Sequence, residues 1–124
     1  MLKGSFYEIT EFEISKEKDK AIYKVKLNPS NNIFNGHFPE NPIVPGVCMV
    51  QMNKEIISLI VNSKLIMTTG KNIKFQNVVN PTVNPELYFN LNISYNHDII
   101  SVNTQISYED KNFCLIKGDF KKLN

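Results

Sequence analysis

His37 stands in the run Asn35-Gly36-His37-Phe38-Pro39-Glu40-Asn41-Pro42-Ile43-Val44-Pro45-Gly46-Val47, where three prolines and two glycines surround a single imidazole. Proline fixes φ and removes a backbone donor, so a loop built this way loses less entropy when it holds a side chain in one place. Histidine is also the side chain whose unperturbed pKa falls near neutrality, which suits it to take a proton from a reacting group and give it back. The chain has one other histidine, His97. It lies in Asn96-His97-Asp98 with no ligand spacing around it, and is expected to be a surface turn residue.

A helix must follow this loop. From Pro45-Gly46-Val47 the segment Cys48 to Asn62 is long enough for about four turns and is apolar around most of its circumference. Gln51, Lys54, Glu55, Ser58 and Asn62 recur at spacings of three and four and form one polar stripe, so the helix is expected to be largely enclosed. The glycine at its start leaves backbone N–H groups unobstructed. Those orphan donors, with the positive end of the helix dipole, suit a carbonyl oxygen that gains negative charge.

His37-Phe38-Pro39-Glu40-Asn41-Pro42-Ile43-Val44-Pro45-Gly46-Val47 closely resembles the HFPxxPxxPGV signature of 3-hydroxyacyl-acyl-carrier-protein dehydratases, which have the hot-dog fold. Asn72-Ile73-Lys74-Phe75, with Val78, Val79 and Pro81, is similar to the strand and turn after the central helix in that family. The resemblance implies His37 as the base and the Gly46 N–H as oxyanion donor. It implies Phe38, Val44, Pro45, Val47, Met49 and Met52 as acyl-contacting residues, in a tunnel along the helix. It also implies a substrate carried on the phosphopantetheine of acyl carrier protein, no further cofactor, no metal, and a homodimer or higher oligomer with sites built from both chains.

One position departs from the pattern. The family's second catalytic group, a glutamate or aspartate, is the fifth residue after the signature glycine, and here that residue is Gln51. An amide orients a hydroxyl or a water but does not deliver a proton as a carboxylic acid does. Dehydration of 3-hydroxyacyl thioesters to trans-2-enoyl thioesters in fatty-acid or polyene biosynthesis is therefore expected beside two alternatives. One is a weakened partner subunit that binds carrier protein or completes a mixed dimer with a homologue. The other is a thioesterase using the same helix start. Glu55, one turn beyond Gln51, and Glu40 in the loop are candidate substitutes for the acid.

The remaining elements read as strands. Tyr7–Ile14 and Ala21–Leu27 alternate apolar with polar residues, and Ile73–Gln76, Leu87–Tyr95, Ile99–Tyr108 and Phe113–Phe120 follow, separated by turn residues. Strands, one long helix, then strands with short connections predict an α+β layout, an antiparallel β-sheet wrapped around one long central α-helix, in one domain over 1–124. The net charge of +2 comes from lysine alone, since no arginine occurs, which argues against nucleic-acid reading but not against a phosphate or an acidic carrier. No apolar stretch has spanning length or the make-up of a leader, so no membrane span and a cytoplasmic protein are expected. Cys48 and Cys114 lack metal spacing and fit buried small residues, with a lowered thiol pKa at the helix start as the reactive alternative for Cys48.

Overall fold

The computed structural model describes residues 1–36 and 40–123; His37, Phe38 and Pro39 lie outside the described residues. Strands β1 (Tyr7–Ile14) and β2 (Lys20–Leu27) form the first hairpin, followed by a short helix α1 (Ile33–Gly36) and the long helix α2 (Gly46–Val61). Then come β3 (Leu65–Phe75), β4 (Glu86–Asn96), β5 (Ile99–Tyr108) and β6 (Lys111–Lys122). The pairings between these strands are antiparallel, and the order across the sheet is β1-β2-β4-β5-β6-β3. This is the expected hot-dog arrangement.

Period-2 patterning explains the central strands. Leu87, Phe89, Leu91 and Ile93 of β4, with Ile100, Val102 and Ile106 of β5, point to one face and are buried. Met49, Met52, Ile56, Ile57 and Ile60 of α2 lie in the same core cluster. Chain reversal between β4 and β5 uses His97 with φ 58, exposed in a two-residue turn, which bears out its assignment as a turn residue.

One element differs from expectation. β3 begins at Leu65, well before the predicted Ile73, because as an edge strand it is exposed over most of its length and carries no alternating signal. Register shifts at Met67/Thr69 and Gly70/Asn72 mark it as bulged along its pairing with β6. In α2 the polar stripe is not a solvated face. Glu55 and Asn53 are buried, whereas Val47 and Leu59 are exposed, so the helix orientation follows the sheet's apolar face and the partners that Glu55 finds.

Among the described residues the core retains two polar orphans, Oδ1 of Asn53 and Oγ1 of Thr104, both fully enclosed without a hydrogen-bond partner. A hydroxyl buried unpaired costs about 1–3 kcal/mol, and valine has nearly the same shape. Thr104→Val is therefore expected to leave stability unchanged or to raise it by up to about 1 kcal/mol, read from the midpoint of urea unfolding. A loss greater than that would show that the hydroxyl has a partner after all.

Candidate active site

The start of α2 is set by Pro45, whose φ of −61° and ψ of 142° place it as an extended N-cap without a side-chain cap. Its carbonyl accepts from the N–H groups of Cys48 at 3.0 Å and Met49 at 3.3 Å. Among the described residues neither the Gly46 nor the Val47 N–H has an acceptor, so two donors at the positive end of the helix dipole remain open. The loop before them is fastened across the site by the Val44 N–H donating to the Val79 carbonyl at 2.9 Å.

A groove of about 320 Å³ opens at this helix start, lined by Ile43, Val44, Gly46, Met49, Phe75 and the turn from Gln76 to Val79. That size lies at the lower end of the range for small-molecule sites. A larger concavity of about 550 Å³ lies over the β1–β2 hairpin beside Glu13, Lys20 and Asn92, and none of its lining residues belongs to the helix start or the loop before it. Of the sequence-derived candidates, Val44, Gly46 and Met49 meet in the groove. Pro45, Val47, Gln51 and Met52 are not part of its lining: Val47 is 75% exposed and Met52 is wholly within the core. His37 and Phe38 fall outside the described residues.

Phe75 was not singled out for the site by sequence. A Cβ on Gly46 would lie only 2.6 Å from the Phe75 ring, so glycine lets that ring close down over the helix start. The ring is 55% exposed and free to swing, and alanine is a better helix residue than glycine. Gly46→Ala is expected to move Tm by less than about 3 °C while lowering turnover about tenfold, because methyl and displaced ring crowd the open N–H groups. Thermal unfolding and turnover measured on one preparation separate the two effects. A collapse in Tm would mean that the ring cannot yield.

Gln51 is half-buried one turn into the helix, and its Nε2 donates to Glu55 Oε2 at 2.8 Å. Glu55, 5% exposed, also accepts from the Leu2 N–H at 2.7 Å, the Lys3 N–H at 2.9 Å and the Tyr7 hydroxyl at 3.0 Å. Burial works against its charge, but these hydrogen bonds outweigh it and hold the carboxyl below the usual glutamate range. Tyr7 moves the opposite way, pushed up by burial and by the neighbouring Glu55 charge. Glu55 is thus an ionised acceptor with its lone pairs engaged, which removes it as a substitute proton donor. Glu40 is exposed.

Burial pushes the Cys48 thiol up, and that of Cys114 up to about 11. Burial at that position thus works against a reactive thiolate at the helix start. The spacing of four between Gln51 and Glu55 was a legible signal of their pairing. Nothing in the sequence pointed to Tyr7, 48 positions away, or to the main-chain groups of Leu2 and Lys3.

The family described as ApeI-like, the ApeI dehydratases, matches residues 13–114. Among curated proteins, the 3-hydroxyacyl-acyl-carrier-protein dehydratase FabZ of Rickettsia felis is 32% identical over 81 residues, covering 59% of this chain and 54% of its own. That of Rickettsia rickettsii (strain Sheila Smith) is 30% identical over 74 residues, covering 52% and 51%. The chain spans about half the length of the curated relatives it matches. Among solved structures, the dehydratase heterocomplex ApeI:P from Xenorhabdus doucetiae superposes with a TM-score of 0.67 at 18% identity, covering 92% of this chain and 96% of that one. An uncharacterized protein from Erwinia carotovora subsp. atroseptica gives 0.63 at 18% identity, covering 93% and 95%. Both share the fold. With 13–114 matched, the chain belongs to the ApeI-like dehydratase family.

Proposed function

We propose that this chain dehydrates 3-hydroxyacyl thioesters carried on acyl carrier protein to trans-2-enoyl thioesters. The observation that carries this reading is the Gly46 N–H, without an acceptor among the described residues, at the wall of a mostly apolar groove on the helix that follows the histidine-bearing loop. The thioester carbonyl docks on the Gly46 N–H, which favours the enolate-like charge that develops as the C2 proton leaves. His37 takes that proton. The C3–O bond then breaks, the departing oxygen receives the proton from the imidazolium, and water leaves with His37 neutral again. Gln51 holds the hydroxyl and supplies no proton. No cofactor enters beyond the phosphopantetheine arm.

Pairing with a second copy or a homologue is part of the proposal. β3 is an edge strand, and Ile66, Ile73, Phe75 and Val78 on and just after it are exposed, as is Val47 beside the groove. A second reading, a partner subunit that binds carrier protein beside an active homologue, is favoured by Gln51 and by the heterocomplex architecture of the Xenorhabdus relative. No helix among the described residues is long and apolar enough to cross a membrane, and we assign the reaction to the cytoplasm.

Purified protein given 3-hydroxyacyl thioesters on carrier protein and on coenzyme A distinguishes the readings. Formation of the ultraviolet-absorbing enoyl thioester supports dehydration. Release of free thiol without enoyl product would point to hydrolysis. Inertness alone, with product only when a homologous subunit is added, would establish the partner role.

A further inference from the structure

We propose that the free edge of β1 is a docking strand: an extended segment of a partner protein, with basic side chains at alternate positions and apolar ones between them, adds to the sheet there. β1 and β3 are the two ends of the sheet, so this edge is not the one that carries Phe75, and the inference does not depend on the thioester reading. Among the described residues the outer side of β1 is covered only at Tyr7. There Lys3 forms a bridge to it and the Gly4 N–H donates to the Tyr7 carbonyl at 2.8 Å. From 9 to 14 no main-chain partner lies on that side, which leaves a row of donors and acceptors for an incoming strand.

The edge is also shaped and charged. A groove of about 420 Å³ beside it is lined by Ile9, Phe12, Ile14 and Tyr23 of the first hairpin and by Leu59 of α2, with Lys3 and Glu8 as its charged members. Phe12 is 61% exposed and stacks on buried Tyr23 at 5.2 Å, and Leu59 is exposed as well. Apolar side chains at an open edge invite a cover. Glu11 and Glu13, two residues apart, share the opposite face of the strand. Lys24 lies 3.9 Å from Glu11 but closer to Glu86, at 3.2 Å, and among the described residues Glu8 and Glu13 have no ion pair.

β2 shows which strand this sequence accepts. In register, Lys26 stands opposite Glu8 and Lys24 opposite Glu11, while Val25 meets Ile9 and Tyr23 meets Phe12. A strand on the free side faces the same alternation, so lysine or arginine against the carboxylates and apolar residues against Phe12 and Ile14 fit it. A second copy of β1 does not. Antiparallel pairing about Phe12 sets Glu11 against Glu13 twice, and like charges directly opposite destabilise a sheet.

The test titrates the full chain with capped, fluorescently labelled octapeptides, read by anisotropy. One alternates lysine with valine, a second has glutamate for lysine, and a third has the first one's composition with its lysines and valines in separate blocks. A fourth carries two adjacent central prolines in the lysine–valine pattern, which removes a donor from each edge. The alternating lysine–valine peptide is expected to bind about tenfold tighter than the other three, the sum of a few cross-strand pairs. Glu11→Lys with Glu13→Lys, both at exposed positions, is expected to invert the choice in favour of the glutamate peptide.

Equal binding of the alternating and blocked peptides would reduce the effect to bulk charge and overturn the proposal. So would equal binding of the proline peptide, which cannot add as a strand. These comparisons use wild type alone and stand whether or not the variant folds. A folded variant that kept the lysine preference would place the peptide elsewhere. Self-association of wild type that the same two substitutions change would put a second copy on this edge and overturn the proposal too.

Discussion

Gln51→Glu is expected to raise turnover of 3-hydroxyacyl thioesters about 10- to 10³-fold. A positioned general acid contributes about 10²- to 10⁴-fold, and the amide at position 51 contributes none of it. The lower figure reflects the neighbour. A carboxyl at this place would meet Glu55 Oε2 at the 2.8 Å now spanned by the amide, and Glu55 keeps its charge through the Leu2, Lys3 and Tyr7 donors. The new group must therefore hold its proton to make the contact, and the adjacent charge raises its pKa. A carboxylic acid protonated near neutral pH is what departure of the C3 hydroxyl requires. The gain should fade as pH rises through that raised pKa, giving the variant a falling alkaline limb that wild type lacks. Adding His37→Ala to Gln51→Glu should erase the gain, since no base then removes the C2 proton. Equal rates for wild type and Gln51→Glu across pH would show that departure of the hydroxyl does not limit the reaction, or that position 51 does not reach it.

How much of this could be read in the residues depends on how local the cause is. The central strands and α2 were legible because period-2 and period-3.6 burial are written into neighbouring positions, and Pro45-Gly46 marks the helix start by its own stereochemistry. β3 was half-missed because a strand exposed along most of its length has no such alternation. The polar stripe of α2 is legible as a stripe, but its partners are not. Periodicity reports that Gln51, Glu55 and Ser58 share a face, but it does not report that Tyr7 and the main chain of Leu2 and Lys3 fold back onto it. The same non-locality hid Phe75, whose ring reaches Gly46 only through sheet topology. Gly46 and Gln51 were legible as candidates because the signature contains the one and a spacing of five from its glycine picks out the other.

Glu55→Ala is expected to cost roughly 3 kcal/mol or more and to lower Tm by about 10 °C, the largest stability effect of any polar side chain described here. The change strands a buried Tyr7 hydroxyl and frees the Leu2 and Lys3 N–H groups from their acceptor, so the first residues lose their attachment to α2. The effect must depend on pH. Folding lowers the Glu55 pKa, so its stabilisation is complete above the unfolded value of about 4.3 and drains away as pH falls through the folded value. The gap between wild type and Glu55→Ala should hold steady from neutrality down to about pH 5 and narrow below about pH 4. Tyr7 has the opposite sign. Its folded pKa is raised, so its contribution is intact below about pH 10 and falls above it, as the unfolded chain ionises and the native one does not. Tyr7→Phe should weaken that alkaline loss without removing it, because burial raises Tyr23 and Tyr95 as well. Urea unfolding of the three proteins at acid, neutral and alkaline pH resolves both limbs. A Glu55→Ala deficit that stayed constant down to pH 3 would show that folding does not lower the Glu55 pKa, contrary to the four donors that surround it, and one that widened towards acid pH would show a carboxyl protonated in the folded chain.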